Sequence, residues 1–262
     1  MDKAKLLDSI SADAEERLLL ARVLDKREQC IRRSVPTHTA FLTPAQCAAT
    51  QRLLTRCGAQ DGFAFHGGFD DAQRKILFFL PEWQEEPDLD NTICHISSKI
   101  YETDSISHRD ILGSLIGMGV AREMIGDILV EEASIHVLAA GEVADFLLTS
   151  WESAGRTHLA PRRDALDAVP RIAPRVRELR DTVAAPRLDA VVASGFSTSR
   201  TRAAELVDAG AVQLNYRVCE KGTQTVAEGD TISVRGMGKL TVTRLGGTTK
   251  KGRVLVTLHR YI

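Results

Sequence analysis

The run from Arg187 to Asn215 limits the folds open to this chain more than any other stretch. Leu188, Val191 and Val192 share one helical face, and Ala203, Leu206 and Val207 share another after a break. That spacing predicts two short amphipathic helices, each with an apolar stripe to bury and a basic remainder to expose. Gly210 follows the second stripe, where a left-handed cap ends a helix most easily with glycine. Val212 to Asn215 then reads as a strand entering a tight turn. Arg187 begins the first helix, and Ser199, Arg200 and Arg202 begin the second. Helix starts carry free N–H groups that favour phosphate, so these positions are expected to contact a folded RNA.

The charge distribution points the same way. Residues 1–155 carry 15 Lys+Arg against 25 Asp+Glu, and residues 156–262 carry 19 against 10, so the formal net charge of -1 hides a divided chain. A basic region of this size attracts polyanions through phosphate neutralisation and counterion release, and RNA contact is expected to begin at the C-terminal end.

With 262 residues and 44% hydrophobic content the chain can bury two or three small cores. No continuous apolar segment follows Met1-Asp2-Lys3-Ala4-Lys5, so neither a secretory signal nor a membrane anchor is expected, and the cytoplasm is the expected compartment. Cys30, Cys47, Cys57, Cys94 and Cys219 are odd in number and never in C-x-x-C spacing. They read as reduced small hydrophobes, with no disulfide framework and no metal site.

Upstream, Leu18, Leu19, Val23 and Leu24 place a helix over Ala14 to Ile31, with Pro36 forbidding easy continuation. Thr43 and Pro44 open a second helix that Gly58 closes, and Phe63 to Phe69 and Lys75 to Leu80 read as strands. Beyond these, Thr92 to Lys99 reads as strand, His108 to Met118 as helix, Asp127 to Glu131 and Ile135 to Ala139 as strands, Glu142 to Trp151 as helix, and Thr157 onward as a last strand. That order is the split βαβ plait of ferredoxin-like and RNA-recognition folds. The expected fold is therefore α/β (α+β): an N-terminal α/β unit over 1–82, a central plait over 83–170, a basic linker or last edge over 171–185, and a third unit over 186–262.

The third unit resembles the RNA-binding domain named after ribosomal small-subunit protein four, the S-four domain, in its two helices, basic helix start, capping glycine and following strand. The rest of the chain is similar to the YlmH-type family of bacterial S-four proteins. His66-Gly67-Gly68-Phe69-Asp70-Asp71-Ala72-Gln73-Arg74-Lys75 resembles that family's glycine-pair signature, and His108 to Gly119, running on to Val130, resembles its central one. The resemblance implies a noncatalytic RNA-binding factor of ribosome-associated quality control. Such a factor acts on a large ribosomal subunit carrying peptidyl-tRNA, with rRNA or tRNA as partner, no cofactor, no DNA and a monomeric state. A related branch implies a setting in photosystem II biogenesis.

The candidate RNA-binding residues are Arg187, Ser199, Arg200, Arg202, Asn215, Tyr216, Arg217, Lys221, Lys250, Lys251 and Arg253. Each has a plainer reading: Arg200 and Arg202 as solvated charges, Arg187 paired with an acidic neighbour, Tyr216 covering a hairpin instead of stacking on a base. Lys250, Lys251 and Arg253 are expected on a hairpin loop after Gly246-Gly247. Gly67 and Gly68 read as turn formers before a phosphate nest. The plait offers His95 and His136 on its middle strands where an RNA-reading sheet carries aromatics, so packing or protein docking is the expected role there.

Enzyme motifs fail on spacing. His108-Arg109-Asp110 imitates a kinase catalytic loop, but Leu115 stands where a metal-binding Asn is required. Gly117-Met118-Gly119 lacks the third glycine of a dinucleotide loop and follows a helix. An RNA-modifying enzyme that uses the S-four domain for delivery is the alternative from another class, and a protein-interaction scaffold is a third. The helix-to-strand register itself can be tested at Gly210. Gly210→Val puts a β-branched residue in a left-handed position and should lower the thermal stability of the C-terminal unit; a wild-type melting curve would refute the register.

Overall fold

A computed structural model describes residues 3–11, 13–101, 106–171, 176–249 and 252–261. The chain divides into two compact units, Met1–Ile172 and Ala173–Ile262. The parts expected over 1–82 and 83–170 thus share one unit, and a common core between them is the reason.

The first unit opens with α1 (Lys3–Asp8) and α2 (Ala14–Arg33), the latter capped by the Asp13 side chain on the amide of Glu15. Strand β1 (Thr37–Leu42) follows Pro36, and α3 (Pro44–Arg56) starts with a capping box in which Thr43 and Gln46 each accept from the other's backbone amide. Sequence patterning misses β1, whose pairing with its neighbour is interrupted between His38 and Phe41. With β2 (Phe63–His66) and β3 (Lys75–Phe79) it forms an antiparallel sheet ordered β1-β3-β2. The alternation in β3 sends Leu77 and Phe79 toward Leu20, Val23, Leu53 and Leu54 of α2 and α3. Ile76 and Phe78 face the other way.

That other side meets the plait. A short α4 (Leu89–Thr92) leads into β4 (Ile93–Lys99), α5 (His108–Gly117), β5 (Ile125–Val130), β6 (Ser134–Ala140) and α6 (Gly141–Ser150). A two-stranded hairpin, β7 (Ser153–Ala154) and β8 (Thr157–His158), precedes β9 (Arg162–Asp164). The four-stranded sheet is ordered β5-β6-β4-β9, the antiparallel order a split βαβ plait requires. Its last strand begins at Arg162, since the Thr157 segment is engaged in the small hairpin. Ile111, Leu115, Leu147 and Trp151 of the helical layer cover one sheet face.

The opposite face, which an RNA-recognition plait leaves open, is buried here. Ile93, Leu138 and Ala140 pack against Phe41, Ile76 and Phe78 of the first sheet. Two glycines permit the approach: a Cβ on Gly126 would lie 2.7 Å from the Phe41 ring, and one on Gly68 would lie 2.9 Å from Leu138. Gly68 also has φ +95, which suits the turn expected of the glycine pair. Arg74, 9% exposed, locks the junction by donating from Nε to the Ile125 carbonyl (2.8 Å) and from Nη2 to the carbonyls of Phe41 (3.1 Å) and Arg122 (3.2 Å). The Asp127 carboxylate accepts from the amides of Gln73 (2.6 Å) and Arg74 (3.1 Å). Burial and the nearby Arg122 charge push the Arg74 guanidinium down to about 10, with Asp127 opposing.

The second unit begins with β10 (Val176–Val183), so of the two readings of this stretch, basic linker or last edge, the structure has the edge strand. It continues through α7 (Leu188–Gly195), α8 (Arg200–Asp208), β11 (Val212–Leu214), β12 (Arg217–Val218), β13 (Thr231–Val234), β14 (Gly238–Thr248) and β15 (Val254–Tyr261). The sheet is ordered β10-β15-β14-β13-β11-β12. The two helix stripes pack on Val212, Ile232, Leu240, Val242, Val256 and Leu258 of one face. Gly210 has φ +65, as a left-handed helix cap requires. Gly246 and Gly247 lie inside β14, at a register shift between Leu245 and Thr248, and the hairpin turn expected after them falls between Thr248 and Val254.

Removing the Arg74 brace should unfold the first unit selectively. Arg74→Met deletes bonds to three backbone carbonyls, two of them buried, and is expected to cost about 3 kcal/mol or more. Trp83 and Trp151, the two tryptophans of the chain, both lie in this unit. Urea unfolding followed by tryptophan fluorescence should therefore show the loss directly, and an unchanged midpoint would refute the brace.

Candidate nucleic-acid interface

The start of α7 is closed off by its own unit. The amide of Leu188 donates to the Gln224 carbonyl (2.8 Å) and that of Asp189 to the Gly222 carbonyl (3.0 Å), so the turn over 222–224 occupies the donors a ligand would need. The start of α8 is different. Ser199 accepts from the amide of Arg202 (3.1 Å), while the amides of Arg200 and Thr201 have no acceptor among the described residues.

Three of the expected arginines lie on these helix starts. Arg187 reaches Asp189 as a fork, Nε to Oδ1 at 3.2 Å and Nη2 to Oδ2 at 2.7 Å. Arg200 approaches the same carboxylate from α8, with Nη2 at 3.3 and 3.4 Å from its two oxygens. The Asp189 side chain is 9% exposed, whereas Arg187 and Arg200 are 41% and 52% exposed. The acid points into the fold and the cations point out. Arg202 pairs with Glu205 at 2.9 Å on the open surface of α8.

The remaining candidates lie elsewhere in the unit. Asn215 and Tyr216 form the two-residue turn between β11 and β12 with φ of +49 and +65, the mirror-image turn that suits the twist of a hairpin. Asn215 tolerates that conformation best, and its side chain is fully occupied, donating to Asp230 (2.7 Å) and accepting from the amide of Thr231 (3.0 Å). Tyr216 is half-buried beside it, and Arg217 is exposed. Lys221 is exposed, with no carboxylate within salt-bridge distance among the described residues. Arg253 bonds through Nε to the Thr182 hydroxyl (2.9 Å) and through Nη2 to the Thr182 carbonyl, which ties it to the opposite edge strand β10. Lys250 and Lys251 fall outside the described residues.

Sequence reasoning missed the group that brings Arg187 and Arg200 together. Asp189 lies in the same run, but nothing in helical spacing says that it is buried while its partners are not. The available signal was an acid two positions after one arginine on a helix whose neighbouring helix starts with another.

In the first unit, His95 and His136 sit on the plait face covered by the N-terminal sheet, at 1% and 9% exposure. His95 Nδ1 lies 2.9 Å from the Ala165 carbonyl, to which it donates, and its Nε2 lies 2.9 Å from His136 Nδ1. His136 Nε2 then faces the Ser134 hydroxyl at 3.0 Å. Burial, reinforced by the His95 ring, holds His136 below the ordinary histidine range. The pair is a satisfied core element, and no base can stack on strands so covered. No group of three His, Cys, Asp or Glu side chains among the described residues could hold a metal ion, and no helix among them is long and apolar enough to cross a membrane.

Residues 85–165 match the family model described as "Putative RNA-binding domain in YlmH", and residues 186–232 match that of the S4 domain. The chain is 34% identical over 228 residues to "Ribosome-associated protein quality control protein P2" of Bacillus subtilis (strain 168), covering 85% of this chain and 86% of that protein. Among solved structures it is similar to "Cell division protein ylmH from Streptococcus pneumoniae", with TM-score 0.49 and 19% identity over 60% of this chain and 95% of that one.

The hairpin turn generates a prediction of its own. Asn215→Ala removes two hydrogen bonds and places an alanine at positive φ, which should cost the second unit about 2 kcal/mol. Faster amide hydrogen exchange over Val212 to Val218 would register the loss, and unchanged exchange would mean that the turn does not hold the hairpin.

Proposed function

This chain belongs to the YlmH family, and on that premise we propose that it is a noncatalytic RNA-binding adaptor whose second unit grips the phosphates of folded rRNA or tRNA. The observation that carries this reading is the pair of outward-facing guanidiniums at the starts of α7 and α8, in a unit with 15 Lys+Arg against 8 Asp+Glu. Arg187 and Arg200 supply charge-assisted donors, and the open amides of α8 add two more aimed at the same kind of ligand. Arg202 lies on the same helix as Arg200, and Lys221, Tyr216 and Arg217 are further candidate contacts elsewhere in the unit. The first unit carries 19 Lys+Arg against 27 Asp+Glu and a plait face closed to bases, which suits a protein contact better than RNA.

The relative named for ribosome-associated quality control supports placing this activity on the ribosome. The specific site in this proposal is the large ribosomal subunit carrying peptidyl-tRNA, reached by a monomer in the cytoplasm.

Single variants test the surface. Arg187→Ala, Arg200→Ala and Arg202→Ala should each weaken binding to structured RNAs irrespective of sequence, and the salt slope should become shallower by about 0.9 for every phosphate no longer neutralised. Arg187 and Arg200 hold a buried carboxylate, so their variants also lose some stability, and affinities are compared well below the melting midpoint. Unchanged affinity and slope in all three would overturn the reading.

A further inference from the structure

We infer that Asp189 is a positioning residue which, although negatively charged, strengthens RNA binding by fixing Arg187 and Arg200 as a two-guanidinium clamp for a single backbone phosphate. The inference rests on the RNA-binding reading above and assigns the geometry of its central contact. A carboxylate offers about four lone-pair directions. Arg187 takes one on each oxygen in fork geometry, and Arg200 Nη2 lies almost equally far from both, at 3.3 and 3.4 Å. One acid therefore orients two cations from two different helices. Of the three nitrogens on each guanidinium, Arg187 commits two and Arg200 one to Asp189, and the two side chains remain 41% and 52% exposed.

Burial gives the arrangement its polarity. A Cβ on Gly222 would lie 3.3 Å from the Asp189 Cβ, and the Asp189 amide is bonded to the Gly222 carbonyl, so the turn over 222–224 lies directly on the acid. A phosphate approaching from solvent meets the guanidiniums first and cannot displace the carboxylate into water. The open amides of Arg200 and Thr201 at the start of α8, a helix of nine residues, stand beside one arm of the clamp. Without the acid, two like charges on neighbouring helices would repel, and each long side chain would lose rotamer freedom on binding. With it, both are ordered in advance and the cluster keeps a net positive charge.

The sign of one substitution separates this role from simple electrostatics. Asp189→Asn removes a negative charge from an RNA-binding unit, so long-range attraction alone predicts tighter binding. The clamp predicts the opposite. Both carboxylate oxygens accept from guanidinium N–H groups, so whichever way the amide turns, its NH2 confronts a donor. In the full-length protein, with a fluorescein-labelled stem-loop RNA as probe, Asp189→Asn should weaken affinity roughly tenfold and make the salt slope shallower by about 0.9. Equal or tighter binding overturns the inference. If the variant melts below the assay temperature, Arg200→Lys decides instead: it keeps the charge but not the planar fork, and undiminished affinity would overturn the clamp. Arg187→Ala and Arg200→Ala measured alongside separate the two levels. If both bind as wild type, the clamp fails, and if Arg202→Ala does too, the RNA-binding reading itself fails; if both weaken while Asp189→Asn tightens, only the positioning role fails.

Discussion

A sheet has two faces, and in the first unit both are taken. The helices α5 and α6 cover one side of the plait, and the aromatic side of the N-terminal sheet covers the other. The contact between Phe41 and Gly126 sets how close the two sheets come, and Arg74 ties three backbone segments across the same junction. From this closure follow the single compact unit over the first 172 residues and the burial of His95 and His136. The loss of any stacking platform on the plait follows from it too. Base recognition on a sheet needs exposed aromatic faces, and Phe41 and Phe78 at this face are spent on packing. The basic excess lies in the other unit.

Arg74 and Asp189 show how two buried charges lead to different chemistry. Arg74 is a cation inside the fold whose guanidinium donates to the backbone carbonyls of three segments, so its charge serves to join them. Asp189 is an acid inside the fold whose partners are cations at the surface, so its charge is transmitted outward as the orientation of other groups. Both satisfy the requirement that a buried ion be paired or fully hydrogen-bonded. Only the second leaves donors for a ligand.

Much of this architecture was legible in the sequence because local chemistry and tertiary packing agree. Thr43 with Pro44 marks the start of α3, Val212 onward reads as a strand entering a tight turn, and Gly210 ends α8. The choice between linker and last edge for the segment before α7 falls to an edge strand, β10, whose charged positions face water. The misses have physical causes. β9 is three polar residues long, and its identity as a strand comes only from its pairing with His95, Ile96 and Ser97. At the candidate interface, the arginines were legible from helix position. The acid that organises them was not, since burial of Asp189 depends on the turn at Gly222, distant in sequence.

Four arginine–carboxylate contacts in the second unit, made to three acids, span only 2.7 to 3.3 Å and differ in which partner the fold keeps out of solvent. Arg180 with Glu178 and Arg202 with Glu205 are exposed on both sides, and such pairs are worth about 0 to 1 kcal/mol. A phosphate arriving at either can replace the carboxylate, which simply returns to water. At Asp189 replacement is blocked, because releasing that carboxylate would leave it buried and unpaired. A phosphate there must join the cluster instead, taking the outward donors while the inward ones stay bound. In the proposed RNA contact the exposed acids would compete with phosphate and the buried one would support it, and the difference comes from which partner the fold keeps out of solvent.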